Sequence, residues 1–237
     1  MSNQTEKLTV TLNGVKYEIT VTRKQVKRLT LRIDRQGQPC LTVPVRTSRK
    51  EMTSFVESCG EWLARHAGKR SFFSLPSELR NGDTVMILGE ERTILLQRGS
   101  RAELVFLERG PVLIMRDPED PVKAAAAYKK ALTDMAMNVF RERLRRYLHV
   151  IPQRYGTPEI KIRMMTSRWG SANPTTNEIH LSLYLIKTPL ECVDSVVLHE
   201  AVHYTHMDHG SGFYDMLLSY MPDYRKRSAV LKSYART

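Results

Sequence analysis

The sequence predicts a segregated α+β chain, and three observations predict it. Short stretches with a two-residue hydrophobic rhythm fill the first half, a long alanine-rich helix and further helices dominate the second, and an acidic segment broken by two prolines lies between them. At 237 residues there is room for one large domain or two small ones with a genuine core. With 41% hydrophobic and 26% charged residues the composition is that of a globular protein.

The elements follow in order. "KLTVTLNGVKYEITVTR" alternates like a pair of strands, with Asn13-Gly14 as the hairpin turn. "RLTLRID" and "PCLTVPV" form a second pair around "RQGQ". "TSRKEMTSFVESCGEWLARHAGK" opens on Thr47 or Ser48 and spaces Met52, Phe55, Val56, Cys59 and Leu63 at helical intervals. Four more strands, "TVMILG", "RTILLQ", "AELVFL" and "PVLIMR", follow the turn-rich "LPSELRNGD". Asp117-Pro118-Glu119-Asp120-Pro121 has the texture of a linker. It places a domain boundary near residue 120, with a β-rich domain carrying one helix over 1–120 and a second domain over 121–237.

The second domain begins with "VKAAAAYKKALTDMAMNVFRERLRRYLHV", a helix of strong propensity. Arg141, Arg143, Arg145 and Arg146 near its end suit the helix dipole, or else form a phosphate-binding edge. "EIKIRMM" and "EIHLSLYL" are strand-like and flank the turn-forming "GSANPTTN". "TPLECVDSVVLHEAVHYTHM" carries a helix start: Thr188 as N-cap, Pro189 at the first position and Glu191 completing a capping box. Val193, Val196, Val197 and Ala201 give that helix an apolar face.

A net charge of +12 attracts phosphates, nucleic acid or acidic partners. Cys40, Cys59 and Cys192 are few, scattered and odd in number, which argues against a disulfide framework and for a reducing compartment. The N-terminal "MSNQTEKLTVTLNG" lacks a signal-peptide pattern, and no apolar run approaches the ~20 residues of a membrane span. The expectation is a soluble, cytoplasmic protein with no membrane partner.

Four of the seven histidines fall in "VVLHEAVHYTHMDHGSGFY". On a helix His199 and His203 emerge one turn apart on the same side, where two imidazoles can share one zinc ion. Glu200, the next residue round, can reach the metal's water without taking a ligand position. A third ligand is required. His209 is the choice, because Gly210 and Gly212 let the chain turn back; His206, further along the same face, is the alternative.

With these residues in hand the sequence resembles the YgjP-like family of zinc-dependent metal hydrolases, metallopeptidases related to the SprT proteases. The resemblance rests on "SRWGS", "EIHLSLYLIKTPLECVDSVVLHEAVH", His209, "GFY" and "MPDYRKRSAVLK", and extends to "RKQVKRLTLRID" and "VPVRTSRKEMTSFVESCGEWL". The sequence departs from the family's common cysteine at Ala172 and asparagine at Ser182. The resemblance implies a zincin-like, minimal gluzincin catalytic domain over 121–237 behind an N-terminal β-rich domain. It implies Zn2+ on His199, His203 and His209, with Glu200 as general base, and strands around 160–164 and 178–183 beside the active-site helix, where an edge strand could hold an extended peptide. Trp169-Gly170 would then form a wall or turn near the cleft. Arg168, Tyr204 and Tyr214 are candidate oxyanion donors, Arg168, Trp169 and Tyr214 candidate substrate contacts, and Asp208 or Asp215 could orient an imidazole. The implied partner is a peptide or protein substrate. Three rival readings stand beside it: a metal-dependent nucleoside triphosphate pyrophosphatase, a protease associated with DNA through the basic surface, and a nucleic-acid-binding protein with structural zinc.

Overall fold

The computed structural model describes residues 5–34, 36–68 and 71–235. The first four residues of the N-terminal segment, Arg35 of the predicted "RQGQ" turn and Lys69 at the end of the predicted helical segment lie outside them. Backbone packing divides the chain into two compact units, Met1–Ser74 and Leu75–Thr237.

In the first unit the alternating pattern becomes a sheet with one buried face. Asn13 and Gly14 both take positive φ, 50° and 80°, the conformation that a two-residue hairpin turn demands. They join β1 (Thr5–Leu12) to β2 (Val15–Lys24) in antiparallel register. β3 (Thr30–Ile33) and β4 (Pro39–Pro44) complete the order β1-β2-β4-β3, with β2 and β4 parallel. Leu8, Val10, Ile19, Val21, Leu41 and Val43 are buried, and Met52, Val56 and Leu63 pack with them. The last three come from α1 (Arg49–Ser58) and α2 (Gly60–His66). Ser48 starts α1 through a capping box: its Oγ accepts from the Glu51 amide at 3.2 Å and its own amide donates to the Glu51 carboxylate at 2.7 Å. The single helix expected here is broken at Cys59, the boundary residue between the two.

The second unit begins well before the expected boundary near residue 120. β5 (Thr84–Ile87) pairs with β6 (Glu90–Thr93), while β7 (Leu95–Arg98), β9 (Gly110–Met115) and β8 (Glu103–Leu107) form a three-stranded sheet in that order. Leu79, Val85, Ile87, Ile94, Leu113 and Met115 from this region share one core cluster with the long helix α3 (Pro121–Tyr147). The Asp-Pro segment is therefore a helix start. Asp120 accepts from the Val122 and Lys123 amides at 3.1 Å each, and Pro121 occupies the first turn, where its missing N–H is harmless.

Beyond α3, β10 (Glu159–Arg163), β11 (Gly170–Asn173) and β12 (Glu178–Ser182) form a sheet of order β10-β12-β11. β12 is thus central, and within this sheet the edges are β10 and β11. A 3-10 turn over Leu183–Lys187 leads into α4 (Leu190–Val202), followed by α5 (Ser211–Tyr220) and α6 (Tyr224–Tyr234). α4 is buried along most of its length, from Cys192 and Val193 to Ala201 and Val202. α3 lies against it, and the two are tied by a buried pair, Arg143 Nε to Asp194 Oδ1 at 3.5 Å. Arg143 is turned inward there, which removes it from the exposed row of Arg141, Arg145 and Arg146, and Arg146 pairs with Glu142. No described helix is long and apolar enough to cross a membrane.

Candidate metal centre

α4 positions the first two imidazoles. It starts differently from the expected capping box: Thr188 is fully buried and its hydroxyl donates back to the Leu185 carbonyl at 2.8 Å, satisfying the preceding 3-10 turn. Pro189 is the N-cap, and its carbonyl takes the amides of Cys192 and Val193. At the other end the helix closes on His203, and the chain turns through residues 204–210 into α5.

That turn brings His209 back over His199. The Nε2 atoms of His199 and His203 are 3.2 Å apart, those of His199 and His209 3.1 Å, and the three donor atoms lie within 4.8 Å of one another. Imidazole lone pairs at such distances repel unless something positive lies between them. Four ligands set tetrahedrally at ~2.0–2.1 Å are ~3.3–3.4 Å apart, so the triad fits a divalent cation. Phe213 is the floor, fully buried, with its ring 4.9, 4.8 and 4.7 Å from those of His199, His203 and His209.

The far nitrogens of two rings are held as well. His203 Nδ1 lies 3.0 Å from the His206 carbonyl, an acceptor, so Nδ1 carries the proton and Nε2 presents its lone pair to the centre. His199 Nδ1 lies 2.9 Å from the Tyr224 hydroxyl. These partners, a backbone carbonyl and a phenol, stand where Asp208 or Asp215 was expected. His206 supplies its carbonyl rather than its ring, which lies outside the triad and against Gly212. Burial first, then the charges of the neighbouring imidazoles, pushes His199 down to about 3. The ring is therefore neutral and available as a ligand at ordinary pH.

Glu200 is 4% exposed and faces β11. The Ala172 amide donates to its carboxylate, and Gly170 lies so close that a Cβ there would sit 2.5 Å from Glu200 Oε1. Burial pushes its carboxyl up to about 8, against the Ala172 hydrogen bond and the Arg168 charge, which lower it. A divalent cation in the triad would add a much larger favourable field and restore the carboxylate.

The sequence candidates divide as follows. Arg168, Trp169, His199 and Glu200 line one cleft of about 240 Å³. Tyr214 lines an adjoining hollow of about 620 Å³ with His199 and His209. Tyr204 does not join them: it is 3% exposed, with its ring edge-on to Tyr155 at 5.1 Å. Residue-by-residue reasoning missed Tyr224 and Phe213. The "GFY" and "PDY" segments contain them, but nothing local says that their rings reach histidines four or more residues away.

The sequence matches the family model described as "YgjP-like, metallopeptidase domain" over residues 27–234. No curated protein matches it significantly. With that match running through both units, and with the histidine triad and its adjacent glutamate assembled within it, the chain belongs to the YgjP-like metallopeptidase family.

Proposed function

We propose that the protein is a zinc-dependent metallopeptidase. The observation that carries this reading is the convergence of three imidazole Nε2 atoms beside a buried glutamate, an all-nitrogen donor set that suits zinc and leaves one position open. Zinc bound there would act as a Lewis acid toward the scissile carbonyl and make water a nucleophile near neutral pH.

The chain's own residues supply the rest. Glu200, held by the Ala172 amide, accepts the proton of the attacking water and returns it to the leaving amine. Tyr224 and the His206 carbonyl fix the ring orientations of His199 and His203, so that the ligands need no rearrangement. β11 supports a peptide substrate in particular. It is an edge of its sheet and begins at the Gly170 that touches Glu200; with the Ala172 amide given to Glu200, the remaining main-chain groups of that edge are the ones that would pair with an extended chain. A phosphoanhydride substrate would have no use for that edge.

The test compares casein-type peptides with nucleoside triphosphates, using zinc-loaded wild type and Glu200→Gln. Peptide hydrolysis falling by ~10²-fold or more in the variant, with zinc retained by elemental analysis, is the expected result. Triphosphate hydrolysis without peptide hydrolysis would replace the reading.

A second reading, in which the first unit brings the peptidase to nucleic acid, is favoured by the charge distribution. Residues 1–74 contain fourteen Lys and Arg against six Asp and Glu, a net +8, while residues 75–237 carry +4. Lys24 ends β2 and Lys27 and Arg28 follow it, while Arg46, Arg49 and Lys50 follow the end of β4; the two strands run parallel with Lys24 opposite Pro44. All six residues are exposed. Arg23 ties the two ends together by donating to the Val45 and Thr47 carbonyls at 2.9 and 2.8 Å. DNA affinity should fall steeply with salt, and replacing Lys27, Arg28 and Arg46 with Gln should flatten the log–log slope by ~2–3. An unchanged slope would remove this reading.

A further inference from the structure

We propose that the cleft beside the metal centre selects peptides with an acidic side chain on the leaving-amine side of the scissile bond; this rests on the metallopeptidase reading above. The cleft of about 240 Å³ has room for a single side chain. Trp169, Val196 and Leu231 give it apolar walls, Glu200 forms its inner end, and Arg168 and Lys232 add positive charge. The adjoining hollow shares Lys232 and contributes Arg225. Among the described residues Glu200 is the only carboxylate lining either space, and it accepts from the Ala172 amide and packs on Gly170.

Several cations elsewhere in the unit are matched by carboxylates, while Arg141, Arg145 and Arg163 share with the cations of the cleft the lack of such a pair among the described residues. Arg80, Arg92, Arg98, Lys123, Lys130 and Arg227 each have a carboxylate partner. Among the described residues Arg168, Arg225 and Lys232 form no such ion pair, and all three are exposed. Unpaired cations around an apolar-walled cleft give a positive potential that the low-dielectric walls focus. A glutamate side chain matches this layout: its methylenes meet Val196 and Leu231, and its carboxylate reaches the cations. The side of the bond follows from Glu200. The group that returns the proton to the amine is itself the inner wall, so the residue attached to that amine is the one that enters.

The experiment uses the zinc-loaded full chain and peptides that differ only in the residue after the cut: Glu, Gln, Lys or phosphoserine. The expected order of kcat/KM is Glu above Gln above Lys, with at least tenfold between Glu and Lys and most of it in KM. Lys232→Glu should invert the Glu-to-Lys ratio. Arg168→Gln should shrink that ratio, and gives a second route should the reversal fail to fold. Equal cleavage of the Glu, Gln and Lys peptides, or preference for Lys, overturns the proposal and leaves the metallopeptidase standing. Phosphoserine preferred tenfold over Glu overturns the carboxylate assignment. Cleavage of none of them overturns the metallopeptidase reading and this proposal with it.

Discussion

At the scale of single residues, Gly170 accounts for the Trp-Gly-Ser segment. A Cβ at this position would meet Glu200 Oε1 at 2.5 Å, Cγ at 2.9 Å and Cδ at 3.0 Å, so only glycine lets the carboxylate rest where it does. Glu200 cannot yield far, because it is enclosed and held by the Ala172 amide. On the proposed mechanism, Gly170→Ala should therefore displace Glu200 and lower kcat by ~10²-fold or more, with metal content unchanged, since the triad is not touched. Full activity in that variant would mean that this carboxylate position is not the working one. The contrast with Tyr224 shows what was legible. His199, Glu200 and His203 stand out in the sequence because helical geometry alone sets their relation. His209 stands out because glycines follow it. Tyr224 reaches His199 from 25 residues away, and no local rule connects them. Tyr204, next to His203, is by contrast a core residue despite its attractive place in the sequence.

At the scale of elements, the start of α4 is held from outside by the β5–β6 turn. Leu88 and Gly89 take positive φ, 50° and 86°, and their amides donate to the Ile186 and Lys187 carbonyls at 2.8 and 3.0 Å. Gly89 packs on Pro189, and a Cβ there would lie 2.7 Å from Pro189 Cγ. Gly89→Ala thus combines a left-handed backbone with a collision. It should cost at least ~1–2 kcal/mol, lowering the Tm by several degrees in a melting curve. A Tm equal to wild type would show that the turn does not brace α4. This contact also explains why the helix start was misread. Thr188, Pro189 and Glu191 spell a capping box locally, but the 3-10 turn takes the Thr188 hydroxyl and the β5–β6 turn packs on Pro189. The same competition hid the unit boundary, since Asp-Pro serves equally as a linker or as a cap with proline in the first turn. β11 was hidden differently. Gly170-Ser171-Ala172-Asn173 has poor strand propensity and is extended because it pairs antiparallel with β12.

At the scale of the whole molecule, the candidate metal site holds an electrostatic tension that a bound cation would relieve. In the metal-free protein Glu200 titrates at about 8 when folded, against 4.5 for the free group. Between those values the folded chain keeps a proton that the unfolded chain has lost, so the unfolding free energy falls as pH rises. His199 acts in the opposite direction: at about 3 when folded against 6.5, it makes stability fall as pH drops through that window. The slopes oppose each other from 4.5 to 6.5, and above 6.5 the glutamate acts without that opposition. In chelator, wild type should accordingly lose stability relative to Glu200→Gln between pH 6.5 and 8, by an amount on the order of a few kcal/mol over its full window. Contributions from groups that do not interact with Glu200 cancel in that comparison. Saturating zinc should flatten the difference, because a divalent cation beside the carboxylate favours the form that burial disfavours, and it should raise the stability of both proteins by mass action. Denaturant curves at several pH values, with and without zinc, measure all of this. If the two chelated proteins keep a constant separation across the range, Glu200 is not held protonated by its surroundings, and the tension between a buried carboxylate and a cluster of neutral imidazoles does not exist.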